Sequence, residues 1–237
     1  MAGPLYVIPD IHGHKDKLDQ ALSLIRDEGG MDARIVFLGD YVDRGPDSCG
    51  VLQTLVDGIK AGHNWTLLRG NHDQLMLDTL AALPGYPVSG RHKLRWLHYN
   101  SGAIKTLASY GLKPNNPTDT ILKTIPASHL DLLKATRLWH QTKDLILAHA
   151  GIKPGVAMAK QTPKDLMWIR EPFLSDRRDH GALVVHGHSP VAFPEHHGNR
   201  LALDGGAGWG RDLHIAVFEG RDCWLLDSTG RHPLTPD

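Results

Sequence analysis

Cysteine is scarce in this 237-residue sequence. Cys49 and Cys223 are the two present, far apart and in no CxxC arrangement. That makes a disulfide framework an unfavoured expectation and fits a reducing compartment, so the expected location is cytoplasmic. A charge excess is also missing. Lys plus Arg and Asp plus Glu both number 26, a formal net charge of zero. Generic nucleic-acid and membrane binders carry a basic surplus, so neither partner is expected, although a local basic pocket stays compatible. No apolar run is long enough to span a bilayer. The opening MAGPLYVIPD has neither the basic start nor the long apolar core of a signal peptide. Internal repeats and low-complexity tracts are absent. What remains is ordinary for a globular protein, 41% apolar and 22% charged. The length suits one domain over 1–237 with a sizeable core. Histidine is the exception to scarcity. Sixteen are present, and histidine is both the commonest metal ligand and the usual acid–base group.

Short apolar runs alternate with helical periodicity in the first third. LYVIP (5–9) precedes a helix pattern with Leu18, Ala21, Leu22 and Ile25 on one face, stopped by Gly29 and Gly30. RIVFL (34–38) precedes one with Val51, Leu52, Leu55, Val56 and Ile59, and WTLL (65–68) precedes DQLMLDTLAAL. The runs lack polar alternation, as in strands covered on both faces, and the order predicts an α/β fold of strands covered by helices. From about 86 to 143 the pattern is helical, with RHKLRWLHYNSGAIKTLASYG and ASHLDLLKATRLWH joined by a Pro/Asn-rich loop, and it reads as a helical cap insertion. Strand patterns resume at DLILA (144–148), ALVVHG (182–187) and RLALD (200–204). LHIAVFE (213–219) and CWLLD (223–227) form an expected hairpin.

The chemistry lies in the turns at the ends of these runs. After YVI comes Pro9-Asp10-Ile11-His12-Gly13. After IVFL comes Gly39-Asp40-Tyr41-Val42-Asp43-Arg44-Gly45, and after TLLR comes Gly70-Asn71-His72-Asp73. LILA leads into His149-Ala150-Gly151, and LVV into His186-Gly187-His188-Ser189. One such Asp or His is usually a turn former or cap. Five in order are not explained by turn chemistry, which calls for Gly, Asn and Pro but not for histidine. Sites in such sheets gather at the carboxyl ends of strands. Asp10 and His12 stand two apart on an extended segment, face one side, and can share a metal. Asp40 can bridge two cations, and the adjacent Asn71 and His72 should point apart. Oxygen and imidazole ligands without thiolate suit Mn, Fe or Zn. A metal pair about 3.5–4 Å apart is a known clamp for in-line displacement at phosphorus.

In this order, the blocks DxHG, GDxVDRG, GNHD, HAG and GHSP resemble the calcineurin-like metallophosphoesterases, and GDYVDRG most resembles their phosphoprotein phosphatase branch. The resemblance runs from Asp10 to about Trp209. It implies a four-layer α/β/β/α sandwich and a dinuclear centre of two divalent ions, with Mn expected to serve in vitro. Asp10, His12 and Asp40 would hold the first metal. Asp40 would bridge, and Asn71, His149 and His188 would complete the second site. A metal-bridging hydroxide would attack phosphorus. Arg44 and Arg170 would grip phosphate oxygens, His72 would protonate the leaving oxygen as general acid, and Asp43 would orient it. The implied activity is a metal-dependent phosphomonoesterase, of bacterial serine/threonine protein phosphatase type, acting on a phosphorylated protein, peptide or small molecule.

Departures bear on substrate. Pro9 stands where the family usually has Gly. Asp73 stands where many protein phosphatases have Glu and symmetrical diadenosine tetraphosphatases often have Asp, yet those hydrolases tend to lack the aspartate matching Asp43. Symmetrical diadenosine tetraphosphate hydrolysis is therefore the alternative. A phosphodiesterase or nuclease is disfavoured by Pro190, where GHxH would place a second His. An inactive binding module is disfavoured by the complete residue set. LDGGAGWG (203–210) resembles the branch's DTGA segment and is expected to line the site. His186 reads as a strand residue or a support for a ligand. His14, His63, His92, His98, His196 and His197 read as solvated. Arg91, His92, Lys93, Arg95 and Trp96 read as a solvated helix face, with an anionic-substrate contact as the rival. Asp73 reads as a helix N-terminal charge.

Overall fold

Three strand–helix units open the chain in the computed structural model, which describes residues 3–81, 95–98 and 102–236. β1 (Leu5–Ile8) leads to α1 (Lys15–Gly29), β2 (Arg34–Phe37) to α2 (Ser48–Lys60), and β3 (Trp65–Leu67) to α3 (Asn71–Ala81). The helices form where the apolar stripes predict. Leu18, Ala21 and Ile25 of α1 are buried, as are Val51, Leu52, Leu55 and Val56 of α2. Asp47 caps α2 by accepting from the Gly50 N–H at 2.7 Å.

Next come α4 (Arg95–His98), α5 (Ala103–Ser109), α6 (Thr118–Thr124) and α7 (Ala127–Ala135). Trp96, Leu107, Ile121 and Leu133 share one core with Ile8, Phe37 and Leu52, so this insertion packs on the same helical layer as α1 and α2. The segment 127–140 does not stay helical. The chain becomes extended at Thr136 and enters β4 (Trp139–Gln141), antiparallel to β5 (Leu145–Ala148). Arg69 fixes the break. Its Nη2 donates to the Leu133 and Lys134 carbonyls at 2.9 and 2.7 Å, satisfying the exposed end of α7. Helical periodicity carries no signal of a cap supplied from so far away in sequence.

After β5 come α8 (Pro163–Trp168), β6 (Leu183–His186), β7 (Glu195–His196) and β8 (Arg200–Ala202), then β9 (Ile215–Glu219), β10 (Asp222–Asp227) and β11 (Gly230–Pro233). Among the described residues the strands form two sheets, ordered β11-β10-β9-β1-β2-β3 and β4-β5-β6-β8-β7. β1, β2 and β3 are parallel, as are β5, β6 and β8. The expected hairpin is β9–β10, paired antiparallel.

Strand alternation builds the layers. Leu5 and Val7 face the second sheet, where they meet Leu145, Leu147, Leu183, Val185 and Leu201 in one buried cluster. Tyr6 and Ile8 face the helices. On the far side, Ile146, Ala148 and Val184 pack with Leu166 of α8, Ile169 and Phe173. The result is the expected α/β/β/α sandwich. Cys49 and Cys223 are free thiols. No helix among the described residues is long and apolar enough to cross a membrane.

Candidate active site

Six parallel strands, three from each sheet, end beside one another, and their turns converge. Backbone bonds stitch the turns together. Ile11 and His12 donate N–H groups to the Asp40 carbonyl (3.1 and 2.8 Å), and Gly187 donates to the His149 carbonyl (2.8 Å). Pro9 has no N–H to lend, and the first turn is fastened through Ile11 and His12 instead. His12, Asp40, Asp43, Arg44 and His188 have positive φ, between 49° and 75°, and they are the non-glycine residues that do so among the described residues. This conformation costs roughly 1–2 kcal/mol per residue and is sustained where surroundings demand it. Asp10 and His12 therefore meet through a turn, with Oδ2 and Nε2 4.0 Å apart, and not through alternation on an extended segment. Two glycines make room for the carboxylates. A Cβ on Gly70 would lie 2.0 Å from Asp40 Oδ1, and one on Gly187 would lie 2.1 Å from Asp10 Oδ1.

Asp10, His12, Asp40, Asn71 and His149 are buried around one point. His12 Nδ1 donates to the Val42 carbonyl (2.8 Å) and His149 Nδ1 to the Leu38 carbonyl (3.0 Å). These bonds fix both rings so that each Nε2 presents a lone pair to the centre. Asp40 Oδ1 accepts the His72 N–H at the start of α3 (2.8 Å). Its other oxygen, Oδ2, lies 3.4 Å from His12 Nε2 and 3.5 Å from His149 Nε2. Asn71 Oδ1 faces the same His149 Nε2 at 2.9 Å. At His149, acceptors thus face an acceptor with no proton between them, an arrangement that a cation resolves. The groups His12–Asp40–His72 and Asp10–Asp40–His149 each bring their ligand atoms within 4.8 Å of one another. The donor set therefore fits metal ions, and Asp40 belongs to both groups. His188 stands one ring further out, its centroid 5.1 Å from that of His149, and its backbone N–H donates to both Asp10 oxygens at 3.2 Å.

Electrostatics point the same way. Burial, with repulsion from Asp204 and Asp40, raises the Asp10 pKa well above the carboxylate range. Burial also opposes ionisation of Asp40, but His149, His72, His12 and His188 outweigh it and hold Asp40 low. Burial lowers the pKa of His12 and His149 and takes that of His188 down to about 3. Imidazoles that give up their protons readily, set around clustered carboxyl groups, are ready ligands.

Beside this centre, His72 Nδ1 meets Asp43 Oδ2 at 2.7 Å. Burial opposes protonation of His72, yet Asp40 and Asp43 together raise its pKa. Arg44 reaches between the imidazoles, with Nη1 2.8 Å from His12 Nε2 and Nη2 3.0 Å from His72 Nε2. Its guanidinium also lies over the Trp209 ring, 4.6 Å from the centroid. The Arg44 fork thus occupies the Nε2 lone pairs of both His12 and His72. Arg170 lies beyond the buried cluster, and its charge contributes to lowering the His188 pKa.

Several residues play parts that the sequence did not show. Asp73 is fully buried and accepts the N–H groups of Asp40, Tyr41 and Gly70 at 2.9–3.0 Å. It clips the second turn to the third. Asp73→Ala is expected to cost about 2–4 kcal/mol of folding free energy, because three buried N–H groups lose their acceptor. Urea unfolding of the metal-free variant measures this, and a change under about 0.5 kcal/mol would contradict the clip. Asp204, buried after β8, is pushed up to about 6 by burial and by Asp40. It ends an apolar run just as Asp10 and Asp40 do, which was its available signal. Trp96 is buried and bonded to Asp43, not on a solvated face. Arg91, His92 and Lys93 lie outside the described residues, as do the side chains of Arg95 and His98. His186 faces Phe173 and Arg200, because the strand geometry that would align it with His188 breaks at His188, whose φ is 62°. His196 is buried by β7–β8 pairing, whereas His14, His63 and His197 are half-buried.

Two facing sheets with this donor cluster at their shared edge define a metal-dependent phosphoric ester hydrolase. A family model for calcineurin-like phosphoesterases matches residues 3–217, and the chain belongs to that family. It is similar to serine/threonine-protein phosphatase 1 of Salmonella typhimurium, 29% identical over 224 residues that cover 91% of this chain and 92% of that protein. It is also similar to the symmetrical bis(5'-nucleosyl)-tetraphosphatase of Acidovorax sp., 34% identical over 153 residues, covering 63% of this chain and 44% of that one. In fold it resembles the cold-active protein-tyrosine phosphatase of a psychrophilic Shewanella sp., with TM-score 0.64 and 16% identity over 99% of this chain and 81% of that one.

Proposed function

We propose that this phosphoesterase is a dinuclear-metal-dependent phosphomonoesterase, a serine/threonine protein phosphatase of the bacterial type, acting in the cytoplasm on phosphorylated proteins or peptides. Asp10, His12 and Asp40 would hold one cation, and Asp40, Asn71, His149 and His188 the other. Manganese is the metal we expect to serve in vitro. Bound there, the cations would supply Lewis-acid activation of water and neutralise charge at phosphorus. The chain's own groups do the rest. Arg44 and Arg170 offer planar donor forks to the phosphate oxygens. With Asp43 holding Nδ1, His72 would carry a proton on Nε2 to the leaving oxygen once Arg44, whose Nη2 lies 3.0 Å from that nitrogen, turns its fork to the phosphate.

The observation that carries this reading is the Asp43–His72 contact, with Arg44 directly following Asp43. The similarity over nearly the full length of a serine/threonine phosphatase supports it. Symmetrical diadenosine tetraphosphate hydrolysis is the second reading, favoured by the relatives of that name and by Asp73. Asp73, however, is engaged by three backbone N–H groups and is not available to substrate. The test is kcat/KM of manganese-loaded protein on a phosphoserine/phosphothreonine peptide and on diadenosine tetraphosphate, side by side. The proposal expects preference for the peptide. Preference for the dinucleotide, with release of two ADP, would overturn it.

A further inference from the structure

The carboxylate of Asp43 is completely buried, and the groups that hold it besides His72 come from the helical insertion. Trp96 of α4 donates its Nε1–H to both oxygens, at 2.9 Å each. Thr106 of α5 donates its hydroxyl to Oδ1 at 2.8 Å. The same hydroxyl accepts the Asp43 N–H at 2.8 Å and lies 3.0 Å from Ser48 Oγ. One hydroxyl has one proton to give and two lone pairs, so Thr106 is fully satisfied when Ser48 donates to it. The Asp43 N–H is shared with Ser48 Oγ at 3.1 Å, which helps hold that residue at φ 75°. The insertion also touches the next residue. The Arg44 N–H points at the Gly102 carbonyl (3.4 Å), and a Cβ on Gly102 would lie 2.3 Å from Arg44 N.

A bare buried carboxylate would be free to turn about its own bond. Two donors across both oxygens prevent that and set the plane in which His72 Nδ1 is received. We propose that Trp96 and Thr106 are positioning residues of the proton donor, so that the insertion acts on catalysis through Asp43 and His72. This rests on the reading of His72 as the proton donor. It predicts an effect on leaving-group protonation and none on metal or phosphate binding.

Leaving-group dependence tests it. A seryl oxygen must be protonated as it departs, whereas the nitrophenolate of p-nitrophenyl phosphate departs without help. In Trp96→Phe and Thr106→Val, kcat on a phosphoserine peptide is expected to fall roughly tenfold, part of the 10²–10⁴ that a positioned acid contributes. On p-nitrophenyl phosphate kcat should stay within about twofold, since that reaction draws little on the acid. KM for both substrates and metal content should be unchanged, and Thr106→Ser should match the parent. Equal losses on both substrates, or no loss on either, would overturn the proposal. His72→Asn is the reference. Equal losses there would contradict the proton-donor reading itself. A substrate split in His72→Asn that is missing from the other two variants would contradict the positioning role alone. If Trp96→Phe fails to fold, the Thr106→Val and Thr106→Ser pair carries the comparison.

Discussion

In His72→Asn, kcat on a phosphoserine peptide is expected to drop by about 10²–10⁴-fold, with bound metal retained. The substitution keeps a polar side chain of modest size but removes the transferable proton. Nδ1 of His72 is committed to Asp43 at 2.7 Å, and the raised pKa keeps the ring protonated to higher pH than an ordinary histidine. The outcome is not trivial, because His72 also lies in a group with His12 and Asp40 that could hold a metal. Elemental analysis of the purified variant separates the two roles. Intact metal with low turnover supports the acid, and loss of metal contradicts it.

Asp40→Asn should remove metal as well as activity. Asp40 Oδ2 is close to both His12 and His149, and the carboxylate belongs to both metal-capable groups. The amide keeps an oxygen for the His72 N–H, so the turn can persist. It removes the charge that offsets two cations and gives one acceptor oxygen where two are needed. Even partners that merely orient a ligand are worth about 10–100-fold in affinity or activity, so losing a shared ligand should lower activity by more than about 100-fold and empty both positions. Two bound metals and full activity in this variant would refute the bridging role.

The residues at strand ends were legible because turns do not otherwise call for Asp, Asn and His in succession, and the structure brings Asp10, His12, Asp40, Asn71 and His149 to one point. How they meet was not legible. Strand alternation suggested one face for Asp10 and His12, whereas positive φ at His12, Asp40 and His188 does the aiming. Backbone conformation at an aspartate or histidine leaves no mark in composition or periodicity. Long-range polar contacts were hidden for the same reason. Trp96 reads as part of a basic helix face until Asp43, 53 residues away, is seen to accept its N–H. Asp73 reads as a helix-start charge until three N–H groups converge on it. The end of α7 and the start of β4 depend on Arg69 and on pairing with β5, neither of which helical periodicity can register.

The most direct test is to strip the protein with chelator and titrate it with Mn²⁺, following bound metal and p-nitrophenyl phosphate hydrolysis together. Two manganese ions per chain are expected, with full turnover reached only as the second binds and with both ions lost in Asp40→Asn, as a shared carboxylate in a two-metal clamp requires. Full hydrolysis by the metal-free chain, or saturation of activity at one ion that does not need Asp40, would contradict the dinuclear centre.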